Sequence, residues 1–134
     1  MHYLRFVLIA KHPDSGLNEG LFRLAYKLIK DPDFDVTDRP VLQEVMGWFD
    51  QHLLVPSRFN RSSSKGYFRR ATRGISWFRD TSGECIARMF ALKRILEEHG
   101  HTVTLIREER IGYVVYEDEH QVVAEPFKDT VTGG

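Results

Sequence analysis

Between Arg58 and Arg79 the chain places seven cations, Arg58, Arg61, Lys65, Arg69, Arg70, Arg73 and Arg79, and no acid. Phe59, Tyr67, Phe68, Trp77 and Phe78 are interleaved with them. Guanidinium groups make charge-assisted, often bidentate hydrogen bonds to carboxylates and phosphates. Aromatic faces supply apolar contact or stack on bases. The segment therefore carries the two ingredients of a surface for an acidic partner, and charge patterning ranks an acidic protein surface ahead of a nucleic acid. The candidate contact residues are Arg58, Arg61, Lys65, Tyr67, Phe68, Arg69, Arg70, Arg73 and Trp77. The structural alternative has the aromatics anchoring a long connection in the core, with the arginines paired to acids elsewhere in the chain.

A second candidate chemistry belongs to Cys85, the single cysteine. It cannot form an internal disulfide, in keeping with a reducing, cytoplasmic setting. At the start of a helix a cysteine sees the positive end of the macrodipole, which favours the thiolate. Cys85 also falls on an apolar stripe with Met89 and Leu92, where a small core cysteine belongs. The core reading is the stronger of the two.

Other spacings carry less. Asp31-x-Asp33-x-Asp35 begins like a calcium loop, but that loop needs a glycine at its sixth position and a glutamate at its twelfth. Val36 and Leu42 stand there, so the acids read as a helix-capping linker. Gly16 and Gly20 are followed by no Gly-Lys-Ser/Thr phosphate cradle. Ser62-x-x-Lys65 lies inside a serine run and has no further support as a nucleophile pair. Six scattered histidines, none paired at His-x-x-x-His spacing, give no zinc pattern. Neither metal nor cofactor is expected.

The chain has 134 residues, 19 of them Lys or Arg and 19 Asp or Glu, so its formal charge is zero. That balance excludes a uniformly basic nucleic-acid binder, and no run is long and apolar enough for a membrane span. The zero is a sum of unequal parts. Residues 1–57 carry six positive and eight negative side chains, and residues 80–134 carry six and eleven, around the +7 segment.

The elements that position these residues follow from periodicity. Tyr3–Ala10, rich in β-branched and aromatic residues, predicts a strand buried on both faces. Leu21, Leu24, Ala25 and Leu28 recur at helical spacing within 18–30. Val41, Leu42, Val45, Met46 and Phe49 do so within 38–52, with Pro40 tolerated in the first turn. Residues 53–79 keep no period and read as a long, mostly irregular connection, with room for a short strand or helical piece near Ile75–Phe78. Thr81-Ser82-Gly83-Glu84 fits a capping box ahead of a helix over 83–99 that ends at Gly100. Thr102–Arg107, Arg110–Tyr116 and His120–Glu125 read as a three-stranded antiparallel meander, and Thr130–Gly134 as a free tail. The expectation is one α+β domain over residues 1–129, ordered β-α-α-loop-α-β-β-β. Its helices would pack on one face of a four-stranded mixed or antiparallel sheet.

A nucleophilic cysteine leading a helix into an antiparallel meander resembles the transglutaminase-like fold over roughly residues 80–127. That pattern wants a histidine where this chain has Ile111-Gly112-Tyr113. His120, one strand later, and Glu125 are then the candidates for base and orienting acid. Ile75-Ser76-Trp77-Phe78-Arg79-Asp80 and the stretch from Gly112 to Phe127 resemble a family of small bacterial proteins. So do His12-Pro13-Asp14-Ser15-Gly16 and Val55-Pro56-Ser57-Arg58-Phe59. This resemblance implies a bacterial source and a single domain, and brings no activity with it. The leading expectation is a non-enzymatic, macromolecule-binding accessory protein. A nucleic-acid-binding protein and a divergent cysteine-dependent enzyme using Cys85, His120 and Glu125 are the alternatives. A third reading makes the acidic turn Glu117–Glu119 the contact.

Overall fold

The computed structural model describes residues 2–9, 20–53, 59–60, 68–69 and 74–132; of 59–60 and 68–69 it describes the backbone. The elements in chain order are β1 (Tyr3–Leu8), α1 (Leu21–Lys30), α2 (Asp38–His52), β2 (Phe59–Asn60), β3 (Phe68–Arg69), β4 (Ile75–Arg79), α3 (Gly83–Glu98), β5 (Val103–Glu108), β6 (Tyr113–Glu117) and β7 (Gln121–Glu125). The α+β class and all three expected helices are present. Among the described residues no helix is long and apolar enough to cross a membrane.

The sheet is antiparallel in every pairing, one of the two expected arrangements, and departs from expectation in two ways. It has five strands, because Ile75–Arg79 joins it as β4, in the order β5-β1-β4-β7-β6. The expected meander is broken as well: β5 pairs with β1 at one edge, while β6 and β7 form a hairpin at the other. Period-2 alternation marks a strand but carries no information about which strand it will pair with.

The helices cover one face. Leu4, Phe6 and Leu8 of β1 and Val103 of β5 meet Leu24, Ala25, Leu42, Val45, Met46, Phe49, Met89, Leu92, Ile95 and Leu96, with Phe78 packed alongside. Strand side chains alternate between faces, so Trp77, one residue before Phe78, points the other way. There it forms a second cluster with Ile111, Val122 and Ala124, joined by Tyr3, Ile75 and Ile106. Ile111 lies in the short connection that carries the chain from the β5 edge to the β6 edge, and this connection covers the second face. Gly112 makes the crossing possible. Its φ is +123°, and a β-carbon there would overlap the Glu125 carbonyl. Only glycine satisfies both demands.

The end of the described chain is tied down rather than free. Thr130 Oγ1 donates to the Arg110 carbonyl at 3.1 Å, and the Thr132 carbonyl accepts from Arg5 Nε at 2.9 Å.

Candidate functional site

Of the basic-aromatic contact residues, Arg58, Arg61, Lys65, Tyr67, Arg70 and Arg73 lie outside the described residues. Phe68 and Arg69 are described in their backbone. They form β3, which pairs antiparallel with β2 in the register Phe59↔Arg69 and Asn60↔Phe68. The connection expected to be mostly irregular thus contains a short ladder, and β2 lies alongside the edge strand β6.

Trp77 corrects the expectation. It is 0% exposed and cannot meet a partner; it is instead the largest fully buried side chain in the protein's described part. A strand in mid-sheet buries one face or the other at every position, and Trp77 falls under the crossing connection. Among the described residues its indole Nε1–H has no hydrogen-bond partner. Phe78 is likewise engaged in the core. Arg79, the last cation of the run, is committed to the fold: Nη2 pairs with Glu117 at 2.8 Å and Nε donates to the Asp118 carbonyl at 2.8 Å.

Several of the acids that balance the chain also hold local partners. Arg88 bridges Glu84, its i−4 neighbour at 3.0 Å, to Glu44 on α2. Lys93 pairs with Glu97 at 2.7 Å, and Arg110 with Asp129 at 3.6 Å.

The three residues of the thiol-enzyme alternative do not assemble. Cys85 is completely enclosed, and burial followed by the nearby Asp118 charge pushes its thiol up to about 12. A group that stays protonated at neutral pH is no nucleophile. The favourable dipole at the start of α3 is outweighed by desolvation. His120 is instead hydrogen-bonded through Nδ1 to Ser82 Oγ at 2.5 Å. Glu125 stands at the far end of β7, opposite Tyr113 across the ladder, where it cannot orient His120.

Sequence reasoning missed Ser82 and Asp118. Ser82 is the N-cap of α3 but makes no side-chain cap bond, because its hydroxyl is turned to His120; Glu84 of the expected capping box is turned to Arg88. Asp118 organises the β6–β7 turn. Oδ1 accepts from the amides of His120 at 2.9 Å and Gln121 at 3.0 Å, and Oδ2 from the Tyr116 hydroxyl at 2.7 Å. Desolvation raises its pKa, but these donors outweigh it and the net shift is downward. The acidic turn Glu117–Glu119 is therefore partly spent on structure. Asp-x-x-Gln at the end of a strand was the available signal.

Asp35, Asp38 and His99 place ligand atoms within 4.8 Å of one another. Their contacts are those of a helix junction. Asp35 Oδ1 accepts from the amides of Thr37 at 2.7 Å and Asp38 at 3.0 Å, and His99 Nε2 meets Asp38 Oδ2 at 2.8 Å, joining the end of α3 to the start of α2.

A cavity of about 360 Å³ opens where β1 and β4 part. Their pairing covers Tyr3 and Leu4, and Arg5, Phe6, Val7 and Leu8 of β1 line the cavity beyond it. Phe6, Leu8, Leu21, Phe78 and Met89 line it, with Arg5, Arg23, Ser76 and Gln121 as its polar members. No family model, no curated protein and no solved structure matches the chain, so its function has to be argued from these residues and their surroundings alone.

Proposed function

We propose that this protein is a non-enzymatic binding module that holds an acidic protein partner through its basic-aromatic segment, with Arg58, Arg61, Arg69, Arg70 and Arg73 as the charged contacts. The observation that carries this reading is the run of seven cations without an acid between residues 58 and 79. Two features of the fold support it. Glu44, Glu84, Glu97 and Asp129 each have a cation from outside the segment beside them already, which reduces the internal demand for its arginines. Trp77 and Phe78 are spent on the core, which leaves fewer rings for stacking on bases and favours a protein over a nucleic acid. A cytoplasmic setting fits the single enclosed thiol.

The test is retention of a partner from the source cell on the immobilised protein, with and without nuclease. Reversing Arg69 and Arg70 to Glu abolishes retention while circular dichroism stays unchanged. Retention that survives the reversal overturns the proposal. Loss of all retained material on nuclease treatment moves the assignment to nucleic acid. In that case binding also falls steeply between low and physiological salt, as counterion release requires.

A further inference from the structure

Arg5 is a charge in an unusual place for a strand of the central sheet. It is half-buried, and among the described residues its bonds are to backbone carbonyls, Nε to Thr132 at 2.9 Å and Nη1 to Ser76 at 3.3 Å. Among the described residues no carboxylate pairs with it. A partly buried cation is ordinarily matched by an anion, because carbonyl dipoles compensate the lost hydration only in part. Arg5 lies on the cavity between β1 and β4, and that cavity is otherwise mostly apolar.

Two further features bear on the same space. Arg23 brings a second cation to the lining. The first turn of α1 lines it as well, from the N-cap Gly20, which makes no side-chain cap bond, to Arg23. Its leading amides carry the positive end of a helix of 10 residues. Arg5, Arg23 and the helix end each favour negative charge in the cavity, and Phe6, Leu8, Leu21, Phe78 and Met89 favour hydrocarbon. The volume falls in the range of small-molecule sites, roughly 300–1,000 Å³.

We propose that the cleft between β1 and β4 binds a small apolar carboxylate, such as a medium-chain fatty acid, with its carboxylate on Arg5 and its hydrocarbon against Phe6, Leu21, Phe78 and Met89. The site is separate from the basic-aromatic segment and does not depend on the partner proposed for it. No covalent step is involved.

Octanoate and 1-octanol share a hydrocarbon body and differ in charge, so they separate the two halves of the proposal. Titration calorimetry of the full chain shows octanoate binding about tenfold or more tightly than octanol, as a charge-assisted contact implies. Arg5→Gln, which keeps an N–H donor near the Nε position but has no charge, removes that preference while octanol binding stays within about twofold. The location is read in the unaltered protein from methionine methyl resonances: octanoate shifts Met89, which lines the cavity, and leaves Met46, a buried residue of α2 outside that lining, in place. The Arg69→Glu, Arg70→Glu protein binds octanoate as the parent does. The proposal is overturned if octanoate and octanol bind alike or not at all, if Met89 does not shift, or if the Arg69/Arg70 reversal abolishes octanoate binding. Should Arg5→Gln fail to fold, the charge preference and the Met89 shift of the unaltered protein decide.

Discussion

The two faces of the sheet are built on different principles. The helix-covered face is closed by three amphipathic helices whose apolar residues recur every three or four positions, and it holds the bulk of the buried side chains. The opposite face is closed by one short crossing with a single buried anchor, Ile111, set on Trp77, Val122 and Ala124. The first kind of cover is redundant: losing one side chain leaves many others in place. The second has no redundancy, so each of its residues carries a larger share of the closure. The difference also bears on where function can lie, because Trp77, sealed beneath the crossing, is out of a partner's reach.

The strongest way to break this comparison is Trp77→Ala. A fully buried tryptophan in a cluster of four costs about 3–5 kcal/mol on truncation. That is at or above the roughly 2–5 kcal/mol expected of Leu92→Ala on the helix face. Urea denaturation of the two variants side by side measures this, and a Trp77 loss below about 1 kcal/mol would mean the second face is not a sealed core. Trp77→Phe sharpens the same point. It gives up ring volume but also removes an N–H that has no acceptor, so its cost falls well below that of the alanine variant.

Next in size is Gly112→Ala, which attacks the cover rather than what it covers. The substitution meets a backbone at φ +123° and the Glu125 carbonyl at once. A destabilisation of about 2 kcal/mol or more is expected, with the chain either straining or lifting Ile111 off Trp77. Tryptophan fluorescence reports which: a red shift of emission accompanies the lifted crossing. Gly100→Ala, at φ +89° but with open space around it, isolates the strain alone and costs less.

How far the sequence told this story divides along the same line. Leu21, Leu24, Ala25 and Leu28 announce α1 by spacing, and Met89 and Leu92 announce α3, because a helix buries one face of a local repeat. The partner of a strand has no such local mark. Nothing within Thr102–Arg107 says that it will sit against β1 rather than β6, and nothing at Gly112 says that its neighbour is the carbonyl of Glu125. The cations beside Trp77 in sequence point to a binding surface, whereas its neighbours in space are Ile111 and Val122. For the candidate site, residue types were legible in the basic run, whereas the cleft beside Arg5 exists only because β1 and β4 separate after Leu4. Ser82 and Asp118 had the chemistry of caps and turns on show, but not the partners they serve.

A smaller effect tests the turn that ties the two faces together. Asp118 holds the β6–β7 hairpin, and His120 beside it reaches Ser82 at the start of α3. Asp118→Ala removes the carboxylate that accepts from two backbone amides and costs about 1–2 kcal/mol, in the range of a lost cap. The pH dependence has a definite sign. The carboxyl is lowered from 3.8 in the folded state, so its stabilisation is present above that pH and is lost as the pH falls through the folded value. The alanine variant therefore shows a shallower acid limb than the parent below about pH 4.

The smallest effect at neutral pH belongs to Cys85, and its value lies in what it says about the helix face. Removing one buried sulfur costs on the order of 1 kcal/mol, comparable to a buried methylene plus some loss of packing. The informative signature is alkaline. The thiol is raised from 9.0 to about 12 by enclosure, so the unfolded chain ionises first, and the stability this group protects is lost progressively as the pH climbs above about 9. Tyr26 and Tyr116, both raised from 10.0 to about 12, add their own losses from about pH 10 upward. Cys85→Ala accordingly flattens the part of the alkaline limb that begins near pH 9 and leaves the tyrosine part intact. In the folded parent the thiol resists iodoacetamide at neutral pH. Rapid alkylation with the fold preserved would show that the start of α3 opens to solvent, and the redundancy assigned to the helix-covered face would then stop short of its edge.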